Sequence, residues 1–212
     1  MPAPSQTSLA RRERERAETR ERILGAARAM LVRNGYDATT MRAIAAKIGY
    51  TATAIYHHFK DKDDLVAELA AIDFRDLARA LQETGSLADP VARLEGIGAA
   101  YVEFGLTHPM QYQFLFMTRH HKAGEHRHQQ GDPGMECYGF LRMTCAEAIA
   151  TGRLRPEFDD ADELAQIAWG SLHGVVALQV TLGDEPKFRW ADVRRAGRKL
   201  TQSLTRGLLR ET

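Results

Sequence analysis

The chain has 212 residues, of which 44% are hydrophobic and 27% charged, and its formal net charge is +1. That length fits one domain, or a small domain fused to a larger one, and it is enough to bury a core. No apolar run approaches the roughly 18 residues that a membrane-spanning helix needs, which argues against a membrane protein. The first 18 residues are polar and charged and lack the apolar stretch of a secretory signal, so we expect a cytoplasmic protein.

The charge is distributed unevenly along the chain. Residues 1–62 hold 12 Lys or Arg and 6 Asp or Glu, a net charge of +6, which leaves −5 for residues 63–212. A basic segment beside an acidic body favours a polyanion partner for the basic segment, because Lys and Arg near phosphates release counterions and gain affinity. On charge alone, a solvated charged surface explains the pattern equally well.

The hydrophobic pattern predicts an all-α fold, because apolar residues recur at intervals of three and four and no segment alternates with a period of two. Asp89 before Pro90 predicts a capped helix start, and Gly35 and Gly49 predict helix ends. The charged prefix, residues 11–18, is predicted to extend the first helix into solvent. We predict helices over residues 19–34, 41–48, 52–58, 63–84, from 90, from 109, 135–151, 160–182 and 191–210.

Residues 39–62 have the pattern of a helix-turn-helix, which is two short helices joined by a tight turn. Thr40 is placed to cap the first short helix and Thr51 to cap the second. In the second helix, Ile55 and Phe59 are four residues apart and are predicted to face the first helix. The residues left facing outward are Ala52, Thr53, Tyr56 and His57.

This outward face has the chemistry of a recognition helix. Its small residues permit close approach in the major groove, where Thr53 can contact a base edge or a thymine methyl group. Tyr56, His57 and Lys60 lie a turn further on and are expected to reach phosphates. The basic prefix is either an arm that adds phosphate or minor-groove contacts, or a solvated helix whose glutamates pair with its arginines.

This segment resembles the DNA-binding part of the TetR family of bacterial regulators. The matching residues occur in order: Gly35-Tyr36, Thr39-Thr40, Ile44-Ala45, Gly49, Ile55-Tyr56, Phe59 and Lys62 before Leu65. The resemblance implies a charged extension (1–18), a three-helix helix-turn-helix head (19–62), and a larger helical body with a connector helix (63–212) that dimerises and binds an effector. The DNA contacts that it implies are Thr40, Arg42, Tyr50, Thr51, Ala52, Thr53, Tyr56, His57, Lys60 and Lys62.

The pattern AWGSLHGVVAL in the body resembles the C-terminal domain of a TetR subgroup marked by Trp, His and Gly. The small residues of this helix, Gly170 and Gly174 among them, permit close packing. We expect the last two helices to form a four-helix interface with their two-fold mates. The leucine stripe of the last helix fits either that interface or packing within the chain: Leu200, Leu204 and Leu208.

Eight large residues from several helices are candidates for an apolar effector pocket. They are Tyr101, Phe104, Phe114, Met117, Phe140, Met143, Trp169 and His173. For each of them, burial in the core without ligand contact is the alternative. Aromatic and methionine side chains accept many hydrophobic shapes, so the pattern predicts a small hydrophobic effector of no particular identity.

Other chemistry is not expected. The four histidines between His120 and His128 suggest a metal site, but no carboxylate or thiol spacing completes one, so we predict no metal and no cofactor. Cys137 and Cys145 are expected to be core thiols. The sequence contains no nucleophile elbow, phosphate loop or metal signature, so we predict that the protein is not an enzyme.

Together these features predict a ligand-responsive TetR-type repressor. It is expected to bind a palindromic operator in double-stranded DNA as a homodimer and to release it when a small hydrophobic effector binds the body. Activation instead of repression, and control by a partner protein without any effector, are the alternatives.

Overall fold

The computed structural model describes residues 6–118 and 133–210. Within these ranges the chain is predominantly helical and forms no strand, with one isolated antiparallel bridge between Leu154 and Leu209. The helices are α1 Gln6–Ala38, α2 Met41–Ile48, α3 Ala52–Tyr56, α4 Lys62–Gln82, α5 Pro90–Thr107, α6 Pro109–Met117, α7 Pro133–Ala150, α8 Ala161–Leu182 and α9 Val193–Leu208, with a 3-10 turn, Glu83–Ser86, after α4. The all-α prediction is confirmed. None of these helices is both long enough and apolar enough to cross a bilayer.

The helix ends around α2 and α3 follow from local capping. The Thr40 hydroxyl accepts a hydrogen bond from the main-chain N–H of Ala43 at 3.1 Å, and the Thr51 hydroxyl accepts one from Ala54 at 3.2 Å. Both satisfy main-chain donors that a helix start leaves unpaired. Gly49 ends α2 with φ 76° and ψ 28°, the left-handed conformation that favours glycine.

The predicted extension of the first helix through residues 11–18 is confirmed, and α1 begins further upstream, at Gln6. The other end of α1 differs from the predicted end at residue 34. Gly35 has a positive φ of 76°, but its ψ of 174° is extended rather than left-handed. It therefore makes a kink after which helical turns resume to Ala38. α3 ends at Tyr56, two residues before its predicted end.

The described chain forms two compact units. Unit 1 takes in the described residues of the ranges 1–70 and 113–127, and unit 2 those of 71–112 and 128–212. The core of unit 1 is built from fully buried side chains of α1 to α4: Ile23, Leu31, Ile44, Ile55, Phe59, Leu65 and Leu69. The short helices α2 and α3 are thereby held on a common apolar core.

In unit 2, α5 packs against α7, α8 and α9. Apolar residues recur along one face of α5 at intervals of three and four, and all of them are buried: Val91, Leu94, Ile97, Tyr101 and Phe104. Two glycines let the neighbouring helices approach closely. A Cβ atom at Gly98 would lie 2.7 Å from the hydroxyl of Thr201 in α9, and one at Gly105 would overlap Val176 in α8. These contacts hold α8 and α9 close to the α5 backbone.

Candidate nucleic-acid interface

α3 presents one side to the core of unit 1 and the other to solvent. Ile55 and the following Phe59 are buried, as the sequence predicted. Thr53, Tyr56 and His57 are exposed, and Tyr56 exposes 53% of its surface. An exposed tyrosine next to a threonine, on a helix whose opposite side is fixed by the core, can contact a second molecule without rearrangement of the chain.

Most of the ten residues predicted to contact DNA lie at the surface. Seven are exposed: Thr40, Arg42, Thr51, Thr53, Tyr56, His57 and Lys60. Tyr50, Ala52 and Lys62 are half-buried. Neither Arg42 nor Lys60 has an ion-pair partner in the described part of the chain, so both charges are available to phosphate.

Lys62 points its charge into unit 1 rather than outward. Its Nζ donates to the main-chain oxygens of Tyr36 at 2.8 Å and Thr39 at 2.9 Å, and it lies 3.7 Å from the centroid of the Tyr36 ring. The Tyr36 hydroxyl in turn donates to the carboxylate of Asp63. Lys62 thus ties the end of α1 and the start of α2 to the start of α4. We therefore propose a positioning role for Lys62, whereas the resemblance implies a DNA contact for it.

Arg22 of α1 lies against the turn between α2 and α3. Its guanidinium donates to the main-chain oxygen of Ile48 at 3.1 Å and to the Tyr50 hydroxyl at 3.3 Å, and it stacks 5.2 Å from the Tyr50 ring centroid. This fixes Tyr50 beside the start of α3. Arg22 could not be predicted from the sequence, because a contact across 26 or 28 positions leaves no local signal.

Arg20, also missed, joins three elements of unit 1. It donates to the carboxylate of Glu68 in α4 and, at 2.8 Å, to the main-chain oxygen of His58, and it lies 4.3 Å above the Phe59 ring. A half-buried charged group that donates from each of its three nitrogens stabilises the arrangement of the elements it joins. Arg20 therefore fixes the residues that follow α3 against α1 and α4.

His58 lies next to this contact and is half-buried. Burial and the charges of Arg16, Arg20 and His57 lower its pKa below the ordinary 6.5, with burial the largest cause. Its Nδ1 atom is buried without a hydrogen-bond partner. The neighbouring His57 is exposed, so of the two adjacent histidines only His57 can present its ring to a partner.

A second polar cluster lies in unit 2 and brings together three of the eight predicted pocket residues. The indole N–H of Trp169 donates to the Tyr101 hydroxyl at 3.1 Å, and Tyr101 donates to Tyr112 at 3.3 Å. The Tyr112 hydroxyl lies 2.7 Å from Nδ1 of His173, and the two rings stack with centroids 5.6 Å apart. Tyr112 is fully buried and was missed, because a lone tyrosine at the start of a short helix has no distinguishing pattern.

The titration of this cluster follows from its burial. Burial raises the pKa of Tyr101 to about 12 and also raises that of Tyr112, while it lowers the pKa of His173 below 6.5. A neutral imidazole whose Nδ1 accepts from Tyr112 completes a chain of donors that starts at Trp169. Trp169 exposes 38% of its surface, so one end of this series of hydrogen bonds reaches solvent.

The other five predicted pocket residues do not join this cluster. Phe104 is buried and stacks on His108 with centroids 5.0 Å apart. Phe140 is half-buried, and Met143 exposes 46% of its surface. Phe114, buried, and Met117, exposed, belong to unit 1. For Phe104 and Phe114, core packing already accounts for the position.

Among the residues that the structure describes, no group of three or more His, Cys, Asp or Glu is placed to hold a metal ion. The histidines from His120 to His128 lie outside the described residues. Cys137 and Cys145 are buried free thiols, and burial raises the pKa of Cys145 to about 12.

Comparison with protein families matches both parts of the chain. Residues 23–69 match the model for bacterial regulatory proteins of the tetR family, and residues 94–205 match that of a tetracyclin repressor-like C-terminal domain. The second match alone covers about half of the chain. The chain belongs to the tetR family. It is therefore related to DNA-binding transcription regulators, and its helix-turn-helix is the DNA-binding element of that family.

Curated relatives of this tetR-family protein are transcription regulators. The repressor AcnR of Corynebacterium diphtheriae is 35% identical over 85 residues, which are 40% of this chain and 41% of AcnR. The chain thus spans about two fifths of the length of that relative. The regulator TtgR of Pseudomonas putida is 28% identical over 199 residues, which are 87% of this chain and 93% of TtgR.

Solved structures share the fold along most of the chain. The ketosteroid transcriptional regulator KstR2 of Mycobacterium tuberculosis has a TM-score of 0.68 at 24% identity, covering 91% of this chain and 96% of KstR2. FadR of Bacillus subtilis in complex with stearoyl-CoA has a TM-score of 0.72 at 17% identity, covering 89% and 98%. At these identities the likeness establishes the fold of this tetR-family chain.

Proposed function

We propose that the protein is a ligand-responsive repressor that binds a palindromic operator as a homodimer and releases it when a small hydrophobic effector binds unit 2. The observation that carries the proposal is the outward face of α3, which is capped, fixed by a buried opposite face and free of carboxylates. A regulator of this kind acts where the bacterial DNA is, so the proposal places it in the cytoplasm.

On DNA, the start of α3 enters the major groove. Thr53 and the small Ala52 lie at base edges, where a threonine can donate, accept or contact a thymine methyl group. Tyr56, His57, Lys60 and Arg42, together with the threonine caps and Tyr50, contact the flanking phosphates. Lys62 supports this surface from within, as its internal hydrogen bonds indicate.

The outer face of α8 supports the homodimer. Ile167, Gly170, Gly174 and Leu178 lie along one side at helical spacing and are exposed, Leu178 to 50%. A Cβ atom at either glycine would meet nothing within 4 Å, so their small size serves no packing within the described chain. An exposed apolar stripe with glycines at its centre fits a second helix that approaches closely.

This stripe is complementary to a copy of itself. It is centred near residue 172, the middle of α8, with the two glycines inside and the two large residues outside. If two copies cross antiparallel about a two-fold axis at that point, Gly170 faces Gly174 of the partner subunit and Ile167 faces Leu178 of the partner subunit. A two-fold interface requires such self-complementarity. Leu200 and Leu204 of α9 are half-buried and extend the apolar surface, whereas Leu208 is buried within the chain.

The Tyr101, Tyr112, Trp169 and His173 cluster supports an effector site in unit 2. It combines aromatic surface with a few directed polar groups, which is the composition of small-molecule sites. Trp169 and His173 followed by Gly174 also form the pattern of the Trp-His-Gly subgroup, to which we assign the chain. Release of the operator then requires that the effector bind more tightly to the conformation whose heads no longer fit successive major grooves, about 34 Å apart.

The test is fluorescence anisotropy of the purified protein with DNA from upstream of its own gene and with a scrambled duplex. Thr53→Ala is expected to relax sequence selectivity, because one base contact is worth about 1–3 kcal/mol. Tyr56→Ala is expected to weaken binding to both duplexes, whereas Ser86→Ala, at an exposed position in unit 2, is expected to change neither. Wild-type binding that does not distinguish the two duplexes would refute operator recognition.

A further inference from the structure

The helix-turn-helix does not use the N-terminal segment of α1, residues 6–18. From residue 10 to Glu18 every side chain is exposed, and the first buried side chain after them is Ile23. The segment spans roughly 20 Å at 1.5 Å per residue. Residues 10–18 gain nothing from core packing within the described chain, and a short helix without packing is marginal in water. A partner that this segment contacts would supply the missing stabilisation.

One side of this segment continues toward the end of α3. Arg12, Arg16 and Arg20 are four residues apart, so they share one side of α1. The guanidinium of Arg20 donates to the main-chain oxygen of His58 at 2.8 Å, which shows that this side faces the residues following α3. The charge of Arg16 lowers the pKa of His58, as expected for a group one turn away from the same contact. Arg12 lies one turn further out.

Arg12 and Arg16 have no ion-pair partner among the described residues. Glu15 is paired with Arg11 at 3.6 Å. The segment holds four arginines and three glutamates, so its net charge is small. What distinguishes Arg12 and Arg16 is their position, because they extend the basic surface formed by the exposed side chains at the end of α3.

We propose that Arg12 and Arg16 contact the phosphate backbone of the operator beside the base pairs that α3 contacts, so that the N-terminal segment is a second DNA-binding element. The inference rests on the proposed operator binding. An α-helix with its side chains is about 10–12 Å wide and the minor groove about 6 Å, so the helical segment does not enter that groove. Its contacts are therefore to the backbone and strengthen binding to every DNA sequence alike.

The test compares two double variants that remove the same charge. Arg12→Ala/Arg16→Ala removes the proposed contacts, and Arg11→Ala/Arg14→Ala is the matched control, since Arg14 projects from the opposite side of the helix. Anisotropy titrations with the upstream duplex and the scrambled duplex are run between about 50 and 200 mM salt. Each phosphate contact contributes about 0.9 to the slope of log K against log salt concentration.

We expect the first variant to lose about one to two units of slope, to lose affinity equally for both duplexes and to keep wild-type selectivity. The control variant is expected to lose at most half as much slope as the first variant. Slopes that are equal in both variants, or a loss confined to the upstream duplex, would overturn the proposal. If the wild type binds both duplexes equally, the proposed operator recognition is wrong, but the salt slopes still test the contacts of Arg12 and Arg16. If the wild type binds no DNA at all, both proposals are wrong. Circular dichroism checks that each variant folds.

Discussion

Lys60 and Lys62 stand two positions apart, but the structure gives their charges different surroundings. The Nζ of Lys62 binds two main-chain oxygens and a tyrosine ring, whereas Lys60 is exposed and has no ion-pair partner among the described residues. Hydrogen bonds to a charged group contribute more to stability than neutral ones, and their loss takes a charged donor away from both carbonyls. The two lysines are therefore expected to separate stability from DNA affinity.

We predict that Lys62→Ala lowers the free energy of unfolding by about 1–3 kcal/mol, while Lys60→Ala changes it by less than about 0.5 kcal/mol. Lys60→Ala in turn is expected to lower the salt slope of DNA binding by about 0.9. Urea unfolding followed by circular dichroism and anisotropy titrations measure the two quantities. If Lys60→Ala proved as destabilising as Lys62→Ala, the positioning role of Lys62 would be wrong.

His173 makes the stability of unit 2 depend on pH. Burial lowers its folded pKa below 6.5, so the unfolded chain binds more protons and stability rises with pH. The contribution is complete above pH 6.5 and is lost as the pH falls through the folded value. We predict that unfolding free energy falls less between pH 7 and pH 5 in His173→Asn than in the wild type. His58, whose pKa is also lowered, leaves a residual slope in both proteins. If the unfolding free energies of the wild type and His173→Asn change by the same amount between pH 7 and pH 5, the prediction is wrong.

At the scale of elements, the sequence predicts what local chemistry decides. The caps Thr40, Thr51 and Asp89 act within three residues, so helix starts at Met41, Ala52 and Pro90 follow from them. The buried face of α5 follows from its periodicity. The contacts of Arg20, Arg22 and Tyr112 could not be predicted, because each joins residues between 11 and 61 positions apart and depends on the packing of whole helices. The composition of residues 11–18 predicted that they are helical, but it left open whether they contact DNA.

Substitutions at two exposed glycines with equal surroundings test whether the outer face of α8 is the dimer interface. Gly170 and Gly139 both lie in helices, and a Cβ atom at either would meet nothing within 4 Å. In a monomer, Gly→Leu at each position is expected to stabilise its helix by up to about 1 kcal/mol. We predict that Gly139→Leu behaves in this way, whereas Gly170→Leu separates the dimer because its side chain fills the space of the partner helix. Analytical ultracentrifugation measures the dimer constant. Dimers of equal strength in both variants would place the interface elsewhere.

For the whole molecule, the proposed repressor must couple an event in unit 2 to DNA affinity in unit 1. The opposite charges of the two parts of the chain, +6 for residues 1–62 and −5 for the remainder, favour the first part for the binding of a polyanion. An effector that is apolar gains nothing from the head and binds where aromatic surface is available. The coupling therefore passes through a change of population between two conformations rather than through competition for one site.

Linkage makes this coupling measurable from either side. A probe that lowers operator affinity by some factor must itself be bound more weakly by the operator complex, by the same factor. We predict that this factor is about 5–150, with anilinonaphthalene sulfonate as the hydrophobic probe. Fluorescence titrations with and without operator measure the change in probe affinity. Operator anisotropy with and without probe measures the change in operator affinity.

Trp169→Ala is expected to weaken probe binding and leave operator affinity unchanged, because Trp169 lies in the cluster of unit 2 and not in the head. The Ser86→Ala protein is the control. If the probe binds at the Trp169 cluster but neither probe affinity nor operator affinity changes in the presence of the other ligand, control by a partner protein is favoured over control by an effector.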